Sequence, residues 1–225
     1  MSTRLVYQSF PLELNLQENE VLVWTIEKKA LYIDVCENLW KQSNGGVGDF
    51  SYIVNGQVKK FGKEICVVMN PFSIDCNERK ILSGLYEELN AIALDSEVET
   101  IANINAELIQ LLDRIIQQEP YSLEYNWSIG FQNWIKLYDV RFCYEGNSLL
   151  DRIVSYIRLQ HQICRISCFV FVNLKLYLDS DELSQLYEMA FYEKVFLVLI
   201  EGNQSEIHTP EKQIIVDKDL CVIEL

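Results

Sequence analysis

Oxygen donors gather in one stretch of this chain. Glu119, Glu124 and Asn126 fall in the turn after a long helical pattern, with Gln132 and Asp139 close behind. Hard oxygen ligands in a turn are what calcium takes; a solvated acidic loop is built from the same residues. A second group is cationic. Lys59, Lys60 and Lys63 cluster in and after a hairpin pattern, while Lys136 and Arg141 flank the return from the helical stretch. On a chain with a formal net charge of −14, a handful of cations is ordinarily solvated surface. If several copies assemble, the same handful becomes a positive ring.

Other chemistries lack their residues. A phosphate-binding loop needs glycines whose N–H groups cradle the anion, followed by Lys-Ser/Thr. The strand-to-helix turn Thr25-Ile26-Glu27-Lys28-Lys29 has none of those glycines and puts a carboxylate where the phosphate would sit. Gly45-Gly46-Val47-Gly48 follows a helical pattern and lacks the lysine, so it reads as a helix stop. Of the two histidines, His161 lies on an apolar helical stripe and His208 in a polar loop, with no metal-ligand spacing. No GxSxG elbow occurs. The seven cysteines include no CxxC pair and sit mostly in apolar runs, which predicts reduced core thiols, with Cys164 and Cys168 sharing a strand face. Nothing here predicts an active site, and no enzymatic activity is expected.

The elements around these residues predict an α/β core. Ile166–Val172 is a continuous apolar strand; Asp179-Ser180-Asp181-Glu182 caps a helix with Leu183, Leu186, Met189 and Ala190 on one face. Val195–Ile200 is a second buried strand, broken by Glu201-Gly202-Asn203. Strand, helix and strand with unbroken apolar strands predict a parallel sheet covered on both faces. Upstream, Arg4–Phe10 reads as an edge strand ended by Pro11, Val21–Ile26 as a strand, and Lys28–Gln42 as a helix. Tyr52–Val54 and Val58–Phe61 form a hairpin across Asn55-Gly56, and Ile65–Met69 a short strand. From Asp75 the pattern turns helical, with Ile81, Leu85, Leu89 and Ile92 on one face, then Ile101, Ile104, Leu108, Leu112 and Ile115 on another. These predict an antiparallel helical pair and a shorter helix at Ser128–Leu137. The helical insert therefore falls at 76–138, dividing an α/β domain into 1–75 and 139–225. Val140–Cys143 returns to strand, Ser148–Gln162 is a helix, and Gln213–Val216 and Cys221–Leu225 are closing strands. The amino end runs at once into a strand pattern rather than a signal peptide, and no apolar run reaches membrane-spanning length, so a cytoplasmic location is expected.

Taken in order, these elements resemble a known family. Phe171-Val172-Asn173, Leu178-Asp179-Ser180-Asp181-Glu182-Leu183, Phe196–Glu201 and Ile215-Val216-Asp217-Lys218-Asp219-Leu220-Cys221 carry the likeness, with Leu123-Glu124-Tyr125 and Val21–Trp40. The chain resembles the small ring-forming CRISPR-associated adaptation protein of type II-A systems, over nearly its whole length. The resemblance implies a P-loop-like α/β head with a mostly parallel sheet and no working nucleotide site, plus an inserted helical leg. It implies a homotetrameric ring that threads linear double-stranded DNA, with calcium holding the legs. Spacer acquisition alongside the CRISPR integrase proteins and the RNA-guided effector nuclease is the implied role. Lys136 and Arg141 look like the family's lysines at the central hole, and Lys59 and Lys60 are further DNA-binding candidates. Glu119, Glu124 and Asn126 are the implied calcium ligands. Relatives tend to carry carboxylates after the Leu-Glu-Tyr triplet, where this chain has Asn126 and Gln132, and amide oxygens weaken such a site. Two other readings stay open: a nucleotide-dependent α/β enzyme with a degenerate phosphate loop, and a protein-binding scaffold of the adaptation complex, which the acidic charge favours.

Overall fold

The computed structural model describes residues 2–143, 146 and 148–225. The chain opens with β1 (Thr3–Tyr7) and β2 (Leu12–Leu16), then β3 (Val21–Ile26), α1 (Lys29–Ser43), β4 (Phe50–Val54) and β5 (Gln57–Lys59). A one-turn helix α2 (Phe61–Glu64) leads into β6 (Ile65–Val68), and three helices follow: α3 (Arg79–Ser96), α4 (Val98–Ile116) and α5 (Phe131–Leu137). Then come α6 (Leu149–Gln162), β7 (Cys168–Val172), α7 (Ser180–Tyr192), β8 (Phe196–Glu201), β9 (Glu211–Val216) and β10 (Val222–Glu224). They divide into two compact units, Met1–Cys76 with Tyr144–Leu225, and Asn77–Cys143. From the sequence, the insert falls at 76–138.

The first unit is α/β and holds two sheets. Six strands run in the order β10-β9-β3-β8-β7-β6, parallel except for β10, and four run antiparallel in the order β2-β1-β4-β5. Alternation along the central strands explains the layering. Leu22, Trp24 and Ile26 of β3, with Val170, Val198 and Ile200, join Leu5, Leu14, Phe50 and Val35 in one core, so the small sheet and α1 cover that face. Val23, Phe169, Phe171, Leu197 and Leu199 are equally buried on the other face. There α7 touches both β8 and α6, and buries Leu183, Leu186 and Ala190. Local signals agree with this order. Asp179 caps α7 in a capping box with Glu182, Ser148 caps α6 with Asp151, and Asn55-Gly56 takes the two positive φ angles of a type I′ turn, 51° and 78°.

Several sequence expectations fail here. β1 is not an edge strand: it ends at Tyr7 and lies between β2 and β4. The strict alternation of Leu12-Glu13-Leu14-Asn15-Leu16 builds β2 on its far side, and Pro11 merely precedes that strand. Val140–Cys143 is not a strand. Instead the Asn77 amide substitutes for a strand partner, accepting from Phe142 N (2.8 Å) and donating to Phe142 O (3.1 Å). Cys164 lies beyond the end of α6, outside any strand, so of that pair only Cys168 is a strand thiol. Of the seven cysteines, Cys76 and Cys168 are buried while Cys143 and Cys221 are exposed. Glu201 closes β8 as a buried residue rather than breaking the strand.

In the second unit α3 packs chiefly on α5 rather than pairing closely with α4. α4 buries none of its 19 residues, although its apolar side chains recur on one face. Ile104, Leu108, Leu111 and Ile115 are 42, 45, 45 and 54% exposed. Ile104, Leu108 and Leu111 line a groove of about 400 Å³ along that face, with Glu107 and Arg114 beside them.

Candidate nucleic-acid interface

The four candidate cations fall in pairs on the two compact units. Lys59 ends β5 half-buried, its amine 3.5 Å from Gln57 Oε1, and Lys60 is the exposed residue before α2. In the other unit Lys136 is exposed in the last turn of α5, where a cation also suits the negative end of the helix dipole. Arg141 pairs with Asp139 at 3.5 Å, with both side chains about two-thirds exposed. Such a surface pair is worth at most about 1 kcal/mol, so a phosphate can displace the carboxylate.

The oxygen donors lie on the second unit. Glu119, Glu124 and Asn126 are all exposed. Asn126 Oδ1 accepts from Ser128 N at 3.0 Å, and Tyr125 donates its hydroxyl to Asp113 Oδ1 at 2.6 Å. Among the described residues no group of three or more His, Cys, Asp or Glu side chains is placed to hold a metal ion.

In open α/β sheets ligands bind beyond the carboxyl ends of the strands. Here that edge is occupied by the chain's own groups. β3 runs through Glu27 and Lys28 straight into α1; Gln204 Nε2 donates to Glu27 Oε1 (2.9 Å), and Lys28 Nζ donates to Lys218 O (3.0 Å). Asn173, in the left-handed region at φ 53°, accepts from Gly202 N at 3.1 Å. Close by lies a buried polar cluster that sequence reasoning missed. Lys175 Nζ pairs with Glu211 Oε2 at 2.9 Å, their side chains 3% and 0% exposed, and also donates to Glu206 O at 2.6 Å. Glu211 accepts in addition from Tyr187 OH (2.6 Å) and His208 N (3.2 Å). Glu201 accepts from Lys175 N at 3.2 Å, and burial pushes its carboxyl up to about 7. Burial, then the hydrogen bond to Glu211, also pushes the Tyr187 phenol well above its ordinary range. These groups satisfy one another. The one signal in the sequence was Lys175, a charge among apolar residues directly after a buried strand.

Residues 49–220, well over half the chain, match the family model described as CRISPR-associated protein (Cas_Csn2). The chain belongs to this CRISPR-associated family. Its fold is similar to that in the crystal structure of Stu0660 of Streptococcus thermophilus, with a TM-score of 0.60 at 12% identity, covering 100% of this chain and 76% of that one. That likeness speaks to fold alone. A looser one, to an ABC transporter ATP-binding protein of Pyrococcus furiosus, has a TM-score of 0.45 at 11% identity, covers 95% and 97% of the two chains, and carries no argument. No curated protein matches the sequence. Among the described residues no helix is long and apolar enough to cross a membrane.

Proposed function

We propose that this CRISPR-associated protein is a non-enzymatic double-stranded-DNA-binding protein of type II-A spacer acquisition, acting as a homotetrameric ring around linear duplex. The observation that carries the reading is α4, an amphipathic helix of 19 residues that buries none of them in one copy and leaves Ile104, Leu108, Leu111, Leu112 and Ile115 exposed. Exposed apolar faces of this extent mark association surfaces, and copies joined there repeat the cations of each chain around the assembly. Symmetry is what lets a chain of net charge −14 hold DNA. The ring of four, the partnership with the integrase proteins and effector nuclease, and the descent of the head from P-loop folds come from the family resemblance. The crowded strand edge supports the absence of nucleotide chemistry: Glu27 stands in the turn between β3 and α1, and Gln204, Lys28 and Asn173 spend their polar groups within the protein.

Cations on phosphates carry no base information, so binding is independent of sequence. It weakens steeply with salt, with a log–log slope of about −0.9 per phosphate neutralised. Replacing Lys136 and Arg141 together with Ala lowers affinity on all sequences alike and flattens that slope. Fluorescence anisotropy across a salt series measures both. An unchanged slope in the double variant removes these residues from the interface.

A further inference from the structure

The α/β unit carries a cleft of about 910 Å³ that lies outside the strand-edge cluster and shares only Lys59 with the duplex candidates. Its walls come from both sheets: Thr3, Leu16 and Tyr52 from the four-stranded one, Phe196 and Lys212 from the amino ends of β8 and β9. A side cavity of about 110 Å³ shares Glu18, Lys194 and Phe196 with it. This is the opposite end of the parallel strands from the edge described above.

The lining is uneven in chemistry. Lys59, Lys194 and Lys212 bring three amines, and their hydrogen-bonding capacity is largely unspent. Lys212 meets Glu224 only at 3.9 Å and Lys59 meets Gln57 at 3.5 Å, while the Lys194 amine has no partner among the described residues. Lys194 also sits at φ 56°, two residues before β8. Glycine or asparagine would adopt that left-handed backbone more cheaply than a lysine. Hydroxyls of Tyr52 and Ser167 face each other at a loose 3.4 Å, and Glu64 adds a carboxylate between strands and helix. Leu16, Val54 and Phe196 supply an apolar wall.

We propose that this cleft binds a phosphorylated sugar of nucleotide size. Amines with unspent donors suit a phosphate dianion. Carboxylates and hydroxyls suit a sugar, and the apolar wall suits a base. Volumes of this order are typical of small-molecule sites. A free mononucleotide and the 5′-phosphorylated end of a DNA strand present the same chemistry. Lys194 and Lys212 belong to this site and not to the duplex candidates, so its failure and the failure of the duplex reading, tested at Lys136 and Arg141, are separable.

Isothermal titration calorimetry on the full chain, with AMP and TMP as probes, tests the site. Saturable binding of one molecule per chain is expected, weakened at least about tenfold for the unphosphorylated nucleosides and for the K194Q/K212Q variant, and unchanged in K41Q. Competition by a 5′-phosphorylated trinucleotide, but not its 5′-hydroxyl form, makes a strand end the source; its absence leaves the free nucleotide. Amide shifts in the unmutated protein give a reading that does not depend on the variant folding, and they should centre on Thr3, Ser167 and Phe196. No saturable binding of AMP, TMP or the phosphorylated trinucleotide overturns the proposal. So does binding that K194Q/K212Q leaves intact, or shifts centred elsewhere.

Discussion

Substituting Lys175→Met isolates the buried pair at the carboxyl edge of the sheet. Lys175 and Glu211 are both almost wholly buried, and the pair ties the turn after β7 to the start of β9. Removing the cation strands the Glu211 carboxylate with only Tyr187 OH and His208 N as donors. Breaking one side of such a pair costs about 3–5 kcal/mol, because an uncompensated charge stays buried. Against a total stability of roughly 5–15 kcal/mol that is a large share. With a urea dependence of ~2–3 kcal/mol per molar, the unfolding midpoint should fall by about 1–2 M. Adding Glu211→Gln removes the stranded charge, so the double variant should recover part of the loss. Urea titration followed by circular dichroism gives all three midpoints. A shift in the single variant too small to measure, or a double variant no better than the single, refutes the account of the cluster as structural.

Glu201 gives a pH signature. Its carboxyl lies at about 7 in the fold against an ordinary 4.5, so the folded state holds the extra proton between those values and stability falls as pH rises through that window. At about 1.36 kcal/mol per pH unit the loss is on the order of 3 kcal/mol; midpoints measured from pH 4.5 to 8 should flatten in Glu201→Gln, and a parallel decline in the variant counts against burial as the cause. Leu108→Glu puts a charge in the apolar stripe of α4, and light scattering should find a smaller assembly than the unmodified protein forms; an unchanged mass removes α4 from the contact. Calcium should bind weakly, because Asn126 offers a neutral oxygen that already accepts from Ser128 N. Calorimetry should show tighter binding in Asn126→Asp and weaker in Glu124→Ala, and no response in either variant places any calcium site elsewhere.

Much of the α/β unit was legible because each signal there was local. The apolar strands at Ile166–Val172 and Val195–Ile200 called for a sheet covered on both faces, and Asp179 with Glu182 marked the start of α7. The second sheet was not legible: Pro11 hid the alternation of Leu12–Leu16, and nothing local says which sheet a short strand joins. Asn77 bonding both backbone groups of Phe142 imitates a strand from 65 residues away, a pairing no periodicity reveals. The buried cluster was missed for the same reason, since Lys175 and Glu211 stand 36 residues apart. Of the candidate interface, the sequence named Lys59, Lys60, Lys136 and Arg141 and set Lys136 apart from the first two, but that Arg141 shares a compact unit with Lys136 became visible only in the structure. The α4 stripe was legible as a periodicity, whereas its being uncovered was not.

The central claim, a ring that encircles linear duplex, is tested most directly by topology. Linear double-stranded DNA and a covalently closed circle of equal length and sequence carry the same phosphates, so purely electrostatic surface binding treats them alike. A ring must be entered through an end. In a gel-shift competition at one salt concentration, the account predicts that linear duplex loads, that the closed circle does not, and that one restriction cut restores binding. Closed circles bound as tightly as the linear form contradict it.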